Sequence, residues 1–280
     1  KLKQVQINGR SLPLRLEEKQ GYAELVLSLS PGTQKVQLEF SVPEGLTTRL
    51  ETPQINLNSA SVNSHIAVDL PLSRWVLFAG GSSLGPVVLI WGLLLVLVFI
   101  AYAFSQLKSL PLSFGAWLLL LVGLSQLHII SCAVVIGWLA LIAYYKNLAE
   151  KQTAPAYNAL QLLVGLWAVV AALVLIAAVQ KGLLGLPSMH IEGNGSSANN
   201  LLWYEDRSDD TLPTAWVLSV PLIAYRVMML LWSLWLAFSV LRWVRWAWQE
   251  FSRGGLWRKP IVKKRKPDTS SAVSSKINAE

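Results

Sequence analysis

TAWVLSVPLIAYRVMMLLWSLWLAFSVLRWVRWAW, residues 214–248, is the stretch whose reading decides the fold. Its first 27 residues, Thr214 to Val240, carry a single charge, Arg226. At about 1.5 Å per residue they make roughly 40 Å of helix, whereas a bilayer core of about 30 Å needs about 20 residues. The stretch therefore reads as a tilted spanning helix that ends at Arg242-Trp243-Val244-Arg245-Trp246. Helical spacing puts Ser219, Arg226, Ser233 and Ala237 on one stripe, expected to face other helices, and Pro221 is expected to kink the helix.

An arginine near the bilayer centre costs about 2.5–3.5 kcal/mol on insertion scales, so an internal acceptor is expected. The predicted spanning segments contain no Asp or Glu. The acceptors expected for Arg226 are therefore oxygens between Leu124 and His128, from Ser125, Gln126, His128 and the backbone, with Tyr225 and Gln161 as further candidates. The plainer alternative is a packing or topology residue that reaches water through a defect, and it stays open beside the first.

Composition supports the membrane reading. Of 280 residues 53% are hydrophobic and 14% charged, with 13 Trp, which excludes an ordinary soluble globular protein. The net charge of +8 is concentrated in the tail, since Arg242–Glu280 holds ten Lys and Arg against three acids. A basic tail after a spanning helix predicts a cytoplasmic anchor that attracts anionic lipid, rather than a nucleic-acid partner. Residues 249–280 are expected to be largely disordered, with six basic residues between Arg258 and Lys266. Cys132 is the only cysteine, so no disulfide framework and no thiol metal cluster is expected.

The chain begins at Lys1 without Met or signal peptide, as a piece of a longer product would. Residues 1–78 alternate with period two at Leu12, Leu14 and Leu16, at Leu25, Leu27 and Leu29, and at Val36, Leu38 and Phe40. Asn8-Gly9 and Pro31-Gly32 are turn signals, and further strands are expected near 46–51 and 65–70. This predicts an all-β, sandwich-like domain, complete or partial. Residues 79–85 read as a Gly/Ser linker. Gly81 to Gly85 formally match a Gly-x-Ser-x-Gly nucleophile elbow, but no strand–turn–helix of a hydrolase sheet surrounds them.

A first span is predicted over 86–104, with Trp91 and Tyr102 as interfacial aromatics; Lys108 follows in a short loop. The apolar run 114–145 is too long for one span and too short for two, so a broken or re-entrant hairpin is predicted. Its arms are Phe114 to about Ser125 and about Ile129 to Tyr145, with one tilted helix as the competitor. Residues 157–180 read as a packing helix with Gln161, Gly165, Ala168 and Ala172 on one face. The polar loop 181–213 follows, with Trp203, Tyr204, Glu205, Asp206 and Arg207 as a candidate interaction loop and no calcium-loop spacing. Asn194-Gly195-Ser196 is a formal glycosylation acceptor. The fold class is thus an α-helical polytopic membrane protein, three full spans plus the broken hairpin over 86–248, with an N-terminal β domain.

A resemblance adds to this reading. Leu70-Pro71-Leu72-Ser73-Arg74-Trp75-Val76-Leu77, Leu84 to Trp91, Gly193-Asn194-Gly195-Ser196, Leu202-Trp203-Tyr204, Ser219-Val220-Pro221 and Tyr225-Arg226 through Ala237 resemble the C-terminal part of large uncharacterised inner-membrane proteins of Gram-negative bacteria. The resemblance implies a bigger periplasmic strand-rich region upstream and an inner-membrane address, and it brings no catalytic residues.

No catalytic constellation, cofactor motif or metal-ligand spacing is legible. The expected function is a non-enzymatic protein anchoring a periplasmic β domain that binds a protein partner or envelope component. A transporter or channel subunit with a polar site at the broken hairpin and Arg226 is the alternative. Parity from the basic tail then places 1–85 and 181–213 in the periplasm and 146–156 in the cytoplasm.

Overall fold

The computed structural model describes residues 2–13, 17–19, 22–28, 30–42, 45–82, 84–107, 109–150, 152–253, 255 and 257–258. The expectations for Leu14, Leu16, Leu29, Lys108 and the tail beyond Arg258 lie outside the described residues.

The strand layer is assembled from two distant parts of the sequence. β7 (Ser61–Asp69) pairs antiparallel along its length with β11 (Asn200–Ser208), with Val68 opposite Leu201 and Ile66 opposite Trp203. β12 (Trp216–Pro221) lies between β6 (Arg49–Glu51) and β8 (Arg74–Gly80). β9 (Val87–Val88) pairs with β10 (Ile191–Glu192). Val68, Leu70, Val76, Leu201, Trp203, Ala215 and Val217 form the buried core of this layer, joined by Met189 and Ile191.

Two expectations are corrected here. Residues 181–213 are not simply a polar loop, because 191–192 and 200–208 supply strands that pair with the N-terminal segment. Thr214 does not begin a helix: β-branched and aromatic alternation at Trp216, Val217, Leu218 and Val220 gives a strand. Pro221 immediately precedes the first helical residue, with an extended ψ of 139°, and so starts the helix without kinking it.

The expected linker is also part of the layer. Gly80 ends β8, Leu84 bridges to Tyr204, and a side chain at Gly85 would collide with the Trp203 indole. These glycines serve close approach, not looseness. Nearer the N-terminus, β1 (Leu2–Ile7) pairs with β2 (Arg10–Ser11) and β5 (Val36–Phe40), and β3 (Glu17–Lys19) with β4 (Tyr22–Glu24). Leu12, Leu25 and Leu27 lie outside any strand.

The described residues include five helices. α3 (Ile129–Glu150), α4 (Ala154–Leu184) and α5 (Leu222–Ser252) are long and apolar enough to cross a membrane. α1 (Ile90–Ser105) has 16 residues and α2 (Phe114–Leu124) has 11, which is about 24 and 16 Å. The predicted first span therefore starts late, because residues 87–88 are taken by β9, and α3 is the third long helix. Within the run 114–145, residues 125–128 separate α2 from α3. Ser125 Oγ donates back to Val122 O at 2.7 Å and Cys132 Sγ to Leu124 O at 3.2 Å, so carbonyls freed at the break find local donors.

The bundle core places α5 through Leu222, Tyr225, Met229, Trp232, Leu236, Ser239, Trp243 and Ala247, a three–four spacing. Arg226 and Ala237, from the predicted stripe, are exposed instead. On α4 the buried face is Tyr157, Gln161, Val164, Ala171, Leu175, Ala178 and Gly182. Gln161 is on it as predicted, whereas Gly165 and Ala172 are exposed. A backbone of small residues is not what decides these faces; large side chains reaching onto glycine do, as where Trp232 lies over Gly123 and donates to Leu119 O at 2.8 Å.

Candidate functional site

Three polar places emerge, and none is the predicted intramembrane site. Because α5 begins at Leu222, Arg226 lies about 6 Å along it rather than about 18 Å. It is exposed and has no hydrogen-bond or ion-pair partner among the described residues. A long cation in the second turn of a span can carry its charge to the headgroup layer. Its expected partners are dispersed. Ser125 bonds its own helix, and Gln126 Oε1 accepts from Ser188 N at 3.3 Å. His128 O accepts from Ser131 N at the start of α3. Tyr225 is buried edge-on to Trp75, with ring centroids 5.3 Å apart. Gln161 sits at the other end of the bundle.

The Gln126 contact has a topological consequence. Ser188 adjoins Met189, whose carbonyl accepts from Ile90 N at the start of α1. The break between α2 and α3 therefore lies beside the strand layer, and not halfway down the bundle.

The second place is on the strand layer. Trp203 is buried behind Gly85, with its indole N–H lacking a protein partner, so it is a core residue. Tyr204 donates to Asn63 Oδ1 at 2.8 Å and lies 4.9 Å from the His65 ring. Desolvation, and after it the Asp206 carboxylate, push the Tyr204 phenol above its ordinary value. Glu205 and Arg207 line an open polar cleft of about 350 Å³ with Gln54, Asp209 and Thr211. The cleft is walled by both chain segments, which is why no local motif marks it. Among the described residues no group of His, Cys, Asp and Glu could hold a metal ion.

Arg74 fastens this layer, a role that sequence reasoning missed. Its guanidinium donates to Ser219 Oγ at 3.2 Å, Ser219 O at 3.0 Å and Thr47 O, tying β8, β12 and the approach to β6 together. Ser219 is fully buried. Leu222 N donates to Ser73 O at 2.8 Å, so the same corner holds the start of α5.

The third place is at the far end of the bundle. Gln161 Nε2 donates to Tyr157 OH at 2.9 Å and Gly255 O at 3.2 Å, and Tyr157 OH also donates to Gly255 O. Arg258 stands 3.9 Å over the Tyr157 ring and donates to Ala149 O at 3.1 Å, while Asn158 holds its backbone. The root of the basic tail is thus seated on the ends of α3 and α4. Tyr145 is buried beside it.

Compared with known proteins, the chain matches no family model, no curated protein and no solved structure.

Proposed function

We propose that this chain is a non-enzymatic inner-membrane protein of bacteria whose helices anchor and position a periplasmic strand layer that binds a protein partner or envelope component. The observation that supports this reading is the pairing of residues 49–88 with residues 191–221 across the whole helical segment. Such a layer is bonded to two helix starts, through Trp91 Nε1 to Leu77 O and Leu222 N to Ser73 O. It is a platform held rigidly by the membrane part, with the Glu205–Arg207 cleft open on it. A sandwich-like packing of the strands belongs to the same proposal.

Pairing across the helices also requires an even number of crossings between Val88 and Ile191. In the proposed course α1 and α2 form a hairpin that leaves the strand side and returns to it, α3 descends, α4 ascends and α5 descends. The re-entrant element is then 90–124, and the break at 125–128 is on the strand side. Arg242, Arg245, Arg253 and Arg258 lie at the far end of α5, which the positive-inside rule assigns to the cytoplasm.

Reporter fusions test the orientation: residues 60 and 198 should report periplasm and residues 152 and 253 cytoplasm. A cytoplasmic reporter at 60 would sink it. A photo-crosslinker at Glu205 or Thr211 in whole cells should give one discrete adduct that is lost on Arg207→Ala; no adduct at either position would remove the binding role.

A further inference from the structure

The outer face of the β6–β12–β8 sheet is aromatic and apolar where an antiparallel sheet ordinarily presents polar groups to water. Val76, Val217 and Ser219 point into the core. On the opposite face stand Phe78, Leu218 and Trp216, with Phe78 opposite Leu218 and Leu218 opposite Arg49 in the ladders. The Trp216 ring lies over Gly80, where a side chain would collide with it, and the Arg49 guanidinium sits 5.7 Å from that ring. Together Arg49, Phe78, Trp216 and Leu218 line an open, largely apolar hollow of about 220 Å³. Glu51, 3.5 Å from Arg49, is the acid at its rim.

This face continues the surface of the helices. Trp91, the second residue of α1, stacks on Phe78 with ring centroids 4.8 Å apart and planes 2° apart. Both rings are 41% exposed. Below Trp91, α1 exposes Leu95, Val96, Val98 and Phe99. β12 runs into α5 without an intervening residue. From Leu222 to Leu241 the sequence carries only Arg226 as charge, and those residues span roughly the 30 Å of a bilayer core. The six residues of β12 therefore lie in the next layer outward, the headgroup zone, where Trp side chains collect and an Arg finds phosphate.

We propose that this sheet face rests on the strand-side leaflet, with Trp216, Phe78 and Leu218 among the glycerol and upper acyl groups of phospholipid and Arg49 toward the lipid phosphates. The partner is the bilayer surface itself, and the strand layer lies against the membrane instead of standing clear of it. The inference rests on the reading of α5 as a span, and the experiment separates the two.

Spin labels are placed one at a time at Leu218→Cys, Arg49→Cys, Val62→Cys and Leu234→Cys in a Cys132→Ser background, with the full chain in phospholipid nanodiscs. The serine hydroxyl keeps a donor for Leu124 O, and the Arg49 side chain is 63% exposed, so at least that label leaves the core untouched. Collision with a water-soluble nickel chelate should be severalfold lower at 218 and 49 than at 62, a 64%-exposed position on β7, and oxygen collision should be higher at 218. A label at 234, on the exposed face of α5, should be the deepest. Aqueous behaviour at both 218 and 49, with 234 deep, overturns the proposal and leaves the spanning helix standing. Aqueous behaviour at 234 as well overturns the membrane reading itself.

Discussion

Gly123→Ala tests how the bundle is packed. The added methyl falls inside the Trp232 indole, whose N–H donates to Leu119 O at 2.8 Å. Trp232 is 7% exposed and packed in the main bundle core, so the ring has no free volume to retreat into. Overpacking of a close-packed core costs about 1–3 kcal/mol. Displacing the ring also breaks its hydrogen bond, about 1 kcal/mol net, with no water at hand to replace it. The expected loss is therefore about 2–4 kcal/mol. Trp232→Leu alone leaves a cavity and should cost about as much. In the double variant the methyl added at position 123 occupies part of the space the indole vacates, so the two losses should fall short of additivity by roughly 1–2 kcal/mol. The assay is equilibrium unfolding of the detergent-solubilised protein, followed by far-ultraviolet circular dichroism. Gly123→Ala within about 0.5 kcal/mol of the parent, or a fully additive double variant, would refute the contact.

Arg74→Met should cost about 2–3 kcal/mol through the lost bonds to Ser219 and Thr47, and Arg74→Lys should recover only part, since one ammonium cannot span three acceptors. Faster protease cleavage within 191–215 measures it, and parent-like resistance in the Met variant would remove the clamp. Arg226→Leu should change unfolding stability by no more than about 0.5 kcal/mol, because the side chain is exposed without a protein partner among the described residues; a loss above about 2 kcal/mol would mean a buried acceptor after all. Tyr157→Phe and Arg258→Ala should each cost about 1 kcal/mol by releasing Gly255 or the ring contact. Limited proteolysis after Arg253 should then speed up severalfold, and an unchanged rate would show that the tail root is held elsewhere.

How much of this was legible in the sequence depends on whether the signal was local. Apolar length alone gave α4 and α5, whereas the third long helix, α3, reads in sequence as one arm of a broken hairpin and the predicted span 86–104 is the shorter α1; Ser125 marked the end of α2, its hydroxyl donating back to Val122 O. The strand at 216–221 was missed because Trp216-Val217-Leu218-Ser219-Val220 is apolar enough to extend a spanning helix, and only Pro221 separates the two periods. Starting the helix at Thr214 instead of Leu222 moved Arg226 from the second turn of the helix toward its middle, and the predicted polar site followed from it. The β7–β11 ladder was invisible for a different reason: Val68 and Leu201 are neighbours in the fold but 133 residues apart in the chain. Ladder partners at that distance leave no periodicity in either segment that names the other, and the polar residues of 191–213 look solvated when read alone. The same holds for Arg74, whose acceptors, Thr47 before β6 and Ser219 on β12, come from either side of the bundle in sequence.

The misreading at Thr214–Pro221 concerns the boundary where strand becomes helix, and in a spanning chain a bilayer constrains where that boundary falls. A strand ending at Pro221 must find its ladder partners before the backbone enters hydrocarbon, because unpaired N–H and C=O groups are tolerated only above it. β12 meets this condition with β8 and β6 on its two sides, and α5 meets it internally from Leu222 onward. The same condition explains why β9 ends at Val88 and α1 begins at Ile90, with Leu89 N and Ile90 N donating to His190 O and Met189 O across the junction. At both junctions, then, the donors left open by the start of a helix are taken up by the other chain segment. The sheet and the helices are therefore joined by backbone bonds at α1 and at α5. A force on the strand layer would reach both helices together, which is the property that the proposed anchored platform requires.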